Sequence, residues 1–166
     1  RRPFLTAKRL LTNQTFRDLY RTETLDVSQR LKITSLTFLF TDLRGSTELY
    51  ERVGDLDAFD LVRSHFAVLN EIVASEAGAV VKTIGDEVMI VSPDPVTLTE
   101  WSVGFLALFT ERPQPRVGIH LGRAVYRDGD YFGTDVNLTH RVVARALGGE
   151  VMITRAVADA IGSSEY

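Results

Sequence analysis

A chain of 166 residues with 45% apolar, 25% charged and 9% aromatic side chains has the material for one folded core, which excludes a disordered or fibrous chain. Its longest charge-free, helix-like window, Trp101 to Thr110, is about half the roughly 20 apolar residues of a membrane span, so no span is expected. The absence of cysteine excludes disulfides, thiolate metal sites and thiol nucleophiles, in keeping with a reducing, cytoplasmic setting. His65, His120 and His140 lie too far apart in sequence to form a local cluster. The chain opens on Arg1-Arg2-Pro3 with neither an initiating methionine nor a signal-like stretch, and is expected to be a piece of a longer protein.

Charge divides the chain near Thr34. Residues 1–34 hold eight basic and three acidic side chains, whereas residues 35–166 hold eleven and nineteen. The first part reads as a basic linker or coupling segment and the second as the globular domain. Because the basic residues are scattered among Leu10, Leu11, Phe16, Leu19, Tyr20 and Leu25, packing on a neighbouring domain is favoured over binding to nucleic acid or lipid headgroups.

Leu36 to Thr41 is an almost unbroken apolar and β-branched run, the pattern of a strand covered on both faces, and it ends at Asp42. Asp55 can cap a helix whose apolar positions Phe59, Val62, Phe66, Leu69 and Val73 recur at three and four, with Gly78 as its stop. Ala79 to Ile84 and Val88 to Val91 form two short strands joined through Gly85-Asp86, a hairpin-turn dipeptide. There follow a helix between Thr97 and Thr110 and a strand from Arg116 to Leu121. A turn around Asp128-Gly129-Asp130, a helix from about Asp135 to Leu147 and a strand Val151 to Ile153 complete the pattern. Trp101, Phe105 and Leu108, at helical spacing, are core candidates, and His120 reads as structural.

The order strand, helix, hairpin, helix, strand suits an α+β fold with a ferredoxin-like split βαβ core, an antiparallel or mixed sheet with helices packed on it. In that arrangement the second hairpin strand inserts between the two strands joined by the first crossover and runs antiparallel to the first. Its beginning, just after Asp86, then lies beside the end of the first strand at Asp42. Two carboxylates meeting at one rim repel each other, and a divalent cation between them removes the repulsion through hard oxygen ligands. Each aspartate also has a plainer use, Asp42 as the cap of a short following helix and Asp86 as a turn residue, but the topology that joins them favours the metal reading.

Four segments in order carry a family resemblance: Phe40-Thr41-Asp42-Leu43-Arg44-Gly45-Ser46-Thr47, Lys82-Thr83-Ile84-Gly85-Asp86-Glu87-Val88-Met89, Gly118-Ile119-His120-Leu121-Gly122, and Asp130-Tyr131-Phe132-Gly133-Thr134-Asp135-Val136-Asn137-Leu138-Thr139-His140-Arg141. Over about residues 35–160 the chain resembles the bacterial type of class III adenylate/guanylate cyclase catalytic domain. The resemblance implies the nucleotide cyclase fold and an adenylate cyclase that turns ATP into 3′,5′-cyclic AMP and pyrophosphate in signal transduction. It implies that Asp42, Asp86 and the backbone carbonyl of Leu43 hold two divalent cations, Mg2+ or Mn2+, that assist attack of the 3′-hydroxyl on the α-phosphate. Lys82 and Asp130 match the pair that reads the purine; a donor and an acceptor suit adenine, whereas guanine reverses several pairings. Asn137 matches the residue that orients the ribose, and Arg141 the one that stabilises the charged transition state, four residues apart on one helix face.

Outside that context the plainer readings are a solvated Lys82, a turn Asp130, a solvated Asn137, and an Arg141 that bridges to Asp135 or Glu150; Arg145 is of that ordinary kind. The resemblance further implies a head-to-tail homodimer whose composite sites take the base-reading residues from one subunit and the metal aspartates from the other. Control would come from a regulatory domain elsewhere in a longer chain, through residues 1–34. Thr139 and His140 replace residues that are commonly small in the family, and the histidine ring is expected to crowd the dimer interface or shift Arg141. A late lysine that often binds the triphosphate would fall beyond Tyr166. Guanylate cyclase is the near alternative, disfavoured by Lys82 and Asp130, and a silent nucleotide-binding regulatory module the distant one, disfavoured because Asp42, Asp86 and Arg141 are all present. Gly85-Asp86-Glu87-Val88 also resembles the diguanylate cyclase signature loop, without its second glycine and phenylalanine. No Walker-type G-x-x-x-x-G-K-[ST] loop occurs.

Overall fold

The computed structural model describes residues 7–20, 31–74, 78–110 and 113–163. In chain order its elements are α1 (Ala7–Leu11), α2 (Gln14–Tyr20), β1 (Leu31–Arg44), α3 (Ser46–Val53), α4 (Asp55–Ala74), β2 (Ala79–Ile84) and β3 (Glu87–Ser92). These are followed by α5 (Pro95–Ala107), β4 (Gln114–Arg127), β5 (Asp130–Phe132), α6 (Thr134–Arg145), β6 (Val151–Ile153) and α7 (Arg155–Gly162). One sheet runs β2-β3-β1-β4-β5, with β6 parallel to β4. β3 lies antiparallel between β1 and β2, with Thr41 opposite Val88. This is the split βαβ arrangement that places the end of β1 beside the start of β3.

β1 is the spine because both of its faces are apolar. Leu36, Phe38 and Phe40 point to one face, where Tyr131, Val136 and Val143 cover them; Leu39 points to the other, with Leu69, Leu98, Phe105 and Val157. Burial of such side chains is worth about 1.5–3 kcal/mol each, so the strand is held from both sides. β2 and β5 stand at opposite ends of the strand path, about 19 Å apart if the sheet were flat. Yet Lys82 of β2 touches Asp130 of β5. The sheet therefore curls until its two edges meet.

Several boundaries differ from the sequence pattern. The charge boundary near Thr34 falls inside β1, which starts at Leu31; a bulge between Ile33 and Leu36 interrupts the alternation there. Residues 7–20 pack on this same domain, with Leu11 in the core cluster that holds Phe38; Leu25 lies outside the described residues. α4 starts at Asp55, which is its first helical residue and not its cap, since Gly54 accepts the Ala58 N–H; its buried face is Ala58, Val62, His65 and Leu69, and Phe59 is exposed. The expected stop of α4 at Gly78 follows residues 75–77, which lie outside the described residues. Gly78 itself leads into β2, where an added Cβ would lie 2.9 Å from the Val91 carbonyl oxygen. α5 begins at Pro95 on an Asp94 cap that accepts the Val96 N–H, two residues before Thr97. β4 continues past Leu121 to Arg127, and Asp128 (φ 52°) and Gly129 (φ 80°) turn it into β5. α6 ends at Arg145, and α7, absent from the sequence pattern, buries Val157.

Candidate active site

The end of β1 and the β2–β3 turn form an acidic rim. Asp42 stands opposite Arg116 in the β1–β4 ladder, and Arg116 donates to Asp42 Oδ2 from Nε at 2.9 Å and from Nη2 at 2.5 Å. The same guanidinium reaches the Ala144 carbonyl at the end of α6 at 3.1 Å. Asp42 is not the cap of α3, because Gly45 (φ 86°) fills that place without a side-chain bond. Leu43 stands opposite Pro115, which has no N–H to offer across the ladder.

Asp86 Oδ2 is buried and accepts no hydrogen bond among the described residues. A carboxylate oxygen in that condition is expensive unless a cation or donor reaches it, which a turn-serving aspartate would have found in its own backbone. Beside it, burial pushes the Glu87 carboxyl up; His140 opposes this, and the charges of Asp42 and Asp86 add to it. The three carboxylates thus share one field. Among the described residues no three acidic or imidazole groups form a ready-made cage. Two carboxylates fit a magnesium-like ion that keeps waters and takes its remaining ligands from a substrate phosphate.

The lysine and aspartate expected to read the purine, Lys82 and Asp130, meet across the curled sheet. Lys82 Nζ lies 2.7 Å from Asp130 Oδ2, and Asp130 Oδ1 accepts the Tyr131 N–H at 2.7 Å. Lys82 does not reach freely into solvent, as its plainer reading had it, and Asp130, which follows the Asp128-Gly129 turn, also pairs with it; the two side chains are 32% and 25% exposed.

α6 presents Asn137 and Arg141 on its exposed side, one turn apart. Arg141 bridges to neither expected carboxylate, since Asp135 accepts the Arg123 N–H at 2.6 Å and Glu150 the Leu147 N–H at 2.8 Å. The two unusual neighbours of Arg141 have definite places. Thr139 is fully buried and bonds back to the Asp135 carbonyl at 2.7 Å, and His140 pairs with Glu87 at 3.1 Å while its ring meets Phe40 edge-on. His120 is buried against Thr154 at 2.9 Å, and burial lowers its pKa.

Arg116 is not among the site residues read from the sequence, where it only opens the strand that leads into the Gly118-Ile119-His120-Leu121-Gly122 segment; the pairing with Asp42 comes from strand register. Between the start of α3 and the start of β4 a cleft of about 670 Å³ is lined by Arg44, Arg52, Glu48, Gln114 and Leu147. Its cationic side chains are Arg44, two residues past Asp42 at the end of β1, and Arg52.

Residues 28–166 match the family model of the adenylate and guanylate cyclase catalytic domain, and residues 1–18 match a family of unknown function (DUF5939). The chain is 36% identical over 123 residues to an adenylate cyclase of Streptomyces coelicolor, covering 72% of this chain and 32% of that protein. It is 33% identical over 132 residues to a pH-sensitive adenylate cyclase of Mycobacterium tuberculosis, covering 78% of this chain and 33% of that protein. The chain thus spans about a third of the length of these relatives. Among solved structures, the adenylyl cyclase CyaB of P. aeruginosa superposes with a TM-score of 0.70 at 24% identity, over 81% of this chain and 83% of that one, a likeness of fold.

Proposed function

The chain belongs to the family of adenylate and guanylate cyclase catalytic domains, and we propose that it works as an adenylate cyclase, forming 3′,5′-cyclic AMP and pyrophosphate from ATP in signal transduction. The observation that carries the nucleotide choice is the Lys82–Asp130 contact at 2.7 Å. Opened by a ligand, this pair offers ammonium donors to adenine ring nitrogens and a carboxylate acceptor to the exocyclic amino group. Guanine, with a carbonyl in place of that amino group, leaves the carboxylate unmatched, and a buried unmatched partner is what makes a polar site selective.

The family is metal-dependent, and the donor set here fits hard divalent ions. Asp42, Asp86 with its orphaned Oδ2, and the Leu43 carbonyl would hold two of them, Mg2+ or Mn2+. Such ions, when bound, neutralise triphosphate charge and make the 3′-hydroxyl more acidic. The chain's own groups do the rest. Asn137 orients the ribose, and Arg141 meets the charge that grows on the α-phosphate as the 3′-oxygen bonds to it and the bond to pyrophosphate breaks. Arg44 and Arg52, in the cleft beyond Asp42, supply positive charge to the departing polyphosphate.

Asn137 and Arg141 are exposed, and Arg141 makes no hydrogen bond or ion pair among the described residues. That suits residues that complete a site on a second copy of the chain, and the working unit is a head-to-tail homodimer with two composite sites. Regulation then enters from a further domain through residues 1–34.

The test is product formation from ATP and from GTP, with each metal, in the wild type and in Lys82→Ala and Asp130→Ala. Cyclic AMP is expected to dominate, and the preference to collapse in both variants. Cyclic GMP formed at an equal or higher rate by the wild type would overturn the assignment.

A further inference from the structure

Arg17 is a cation buried inside the domain, only 6% exposed, in a helix that none of the catalytic roles uses. Its Nη2 donates to the Gly129 carbonyl at 2.9 Å and reaches the Val81 carbonyl at 3.5 Å, and its guanidinium carbon lies 5.8 Å from the centre of the Tyr131 ring. Val81 immediately precedes Lys82, and Gly129 immediately precedes Asp130. One side chain therefore ties together the two sheet edges that carry the purine pair, at the residue before each. Three residues earlier on α2, Gln14 Oε1 accepts the Val80 N–H at 2.9 Å while its Nε2 donates to Asp18 at 2.7 Å, so both ends of the amide are fixed. Burying a guanidinium is costly unless its donors are satisfied, yet Arg17 Nη1 is buried without a hydrogen-bond partner among the described residues. A leucine would fill such a place without that penalty.

We propose that Arg17 is a positioning residue for purine recognition: by clamping the Val81 and Gly129 carbonyls it sets the spacing of Lys82 and Asp130, and α2 thereby acts on nucleotide choice from outside the site. This inference rests on the reading of Lys82 and Asp130 as the purine pair.

The probes are 3′-deoxy-ATP and 3′-deoxy-GTP, which lack the attacking hydroxyl, titrated with magnesium into the full chain and into Arg17→Gln, Arg17→Lys, Asp130→Ala and the Arg17→Gln/Asp130→Ala double variant. Arg17→Gln is expected to weaken the adenine analogue on the order of 3- to 30-fold, with a smaller effect on the guanine analogue, so that the preference narrows. Arg17→Lys, still a charged donor, retains more of it. In the Asp130→Ala background the Arg17 change adds no further narrowing, because both act on one pair. A full preference in a folded Arg17→Gln, whatever its melting temperature, overturns the clamp and leaves the purine reading standing. An unchanged preference in Asp130→Ala removes the purine reading, and the clamp with it. Should Arg17→Gln fail to fold, Gln14→Ala carries the test: a smaller narrowing supports the clamp and a full preference overturns it.

Discussion

At Gly118 the sheet lies directly against the backbone of the helix bearing Arg141, and Gly118→Ala tests whether that closeness sets activity. A Cβ at Gly118 would lie 2.4 Å from the Val143 amide nitrogen, 2.7 Å from its Cα and 2.9 Å from its Cβ, where ordinary contacts are 3.4–4 Å. The obstacle is backbone, so no rotamer change relieves it, and α6 must move outward by about 1 Å. Overpacking of this kind costs roughly 1–3 kcal/mol. For a domain of this length that is a fall in Tm of roughly 2–12 °C. Arg141 lies two residues before Val143 and moves with the helix; a misplacement of about 1 Å can cost on the order of 10²-fold in rate. Thermal melting by circular dichroism and initial rates of cyclic AMP formation measure the two effects. Gly104→Ala is the matched control: it sits inside α5 with nothing within 4 Å of its added Cβ, and should gain up to about 1 kcal/mol without loss of rate. A Gly118→Ala protein with wild-type Tm and rate would refute the reasoning.

His65 offers a test by pH. Burial among Phe66, Phe105 and Phe109 lowers its pKa from 6.5 to about 4, with the Asp86 charge opposing. The unfolded chain takes up a proton below pH 6.5 and the folded one only below about 4, so stability falls with pH in that window, by roughly 3 kcal/mol in all. His65→Leu should flatten this part of the urea-midpoint profile between pH 7 and 4, and an unchanged slope would contradict the assignment. Asp86→Asn should abolish the rise in Tm that manganese with 3′-deoxy-ATP gives the wild type, about 2.7 kcal/mol at a hundredfold excess over Kd; an equal rise in both proteins would remove Asp86 from the metal site. A chelator should stop turnover, and manganese in excess restore it; turnover that persists would contradict metal dependence.

Much of this site was legible before any coordinates because it depends on topology and short spacings. Leu36 to Thr41 marks a doubly covered strand, Gly85-Asp86 marks the hairpin, and together they bring Asp42 and Asp86 to one rim. Helical spacing puts Asn137 and Arg141 on one face of α6, while the roles expected of them come from the family resemblance. What stayed hidden depends on contacts between distant segments. The Arg116 grip on Asp42 needs the β1–β4 register, and the meeting of Lys82 with Asp130 needs the curl of a whole sheet. β4 read as ending at Leu121 because Gly122 breaks the apolar pattern, yet that glycine is there to admit Asp135 and His120, which an added Cβ would meet at 2.5 and 2.7 Å. Arg17 was invisible for a related reason. Periodicity finds apolar faces, and a single buried cation among scattered basic residues looks like any solvated arginine until its carbonyl partners are known.

The composite site is tested most directly by mixing two dead proteins. Asp42→Ala removes a carboxylate proposed to hold metal and Arg141→Ala the cation proposed to meet the transition state, so each alone should be silent. If these groups meet only across the dimer, equal amounts mixed should form half heterodimers with one intact site each, and recover about a quarter of wild-type cyclic AMP formation. A mixture that contains heterodimers and stays silent, or a wild-type rate per chain that does not fall on dilution to monomers, would contradict it.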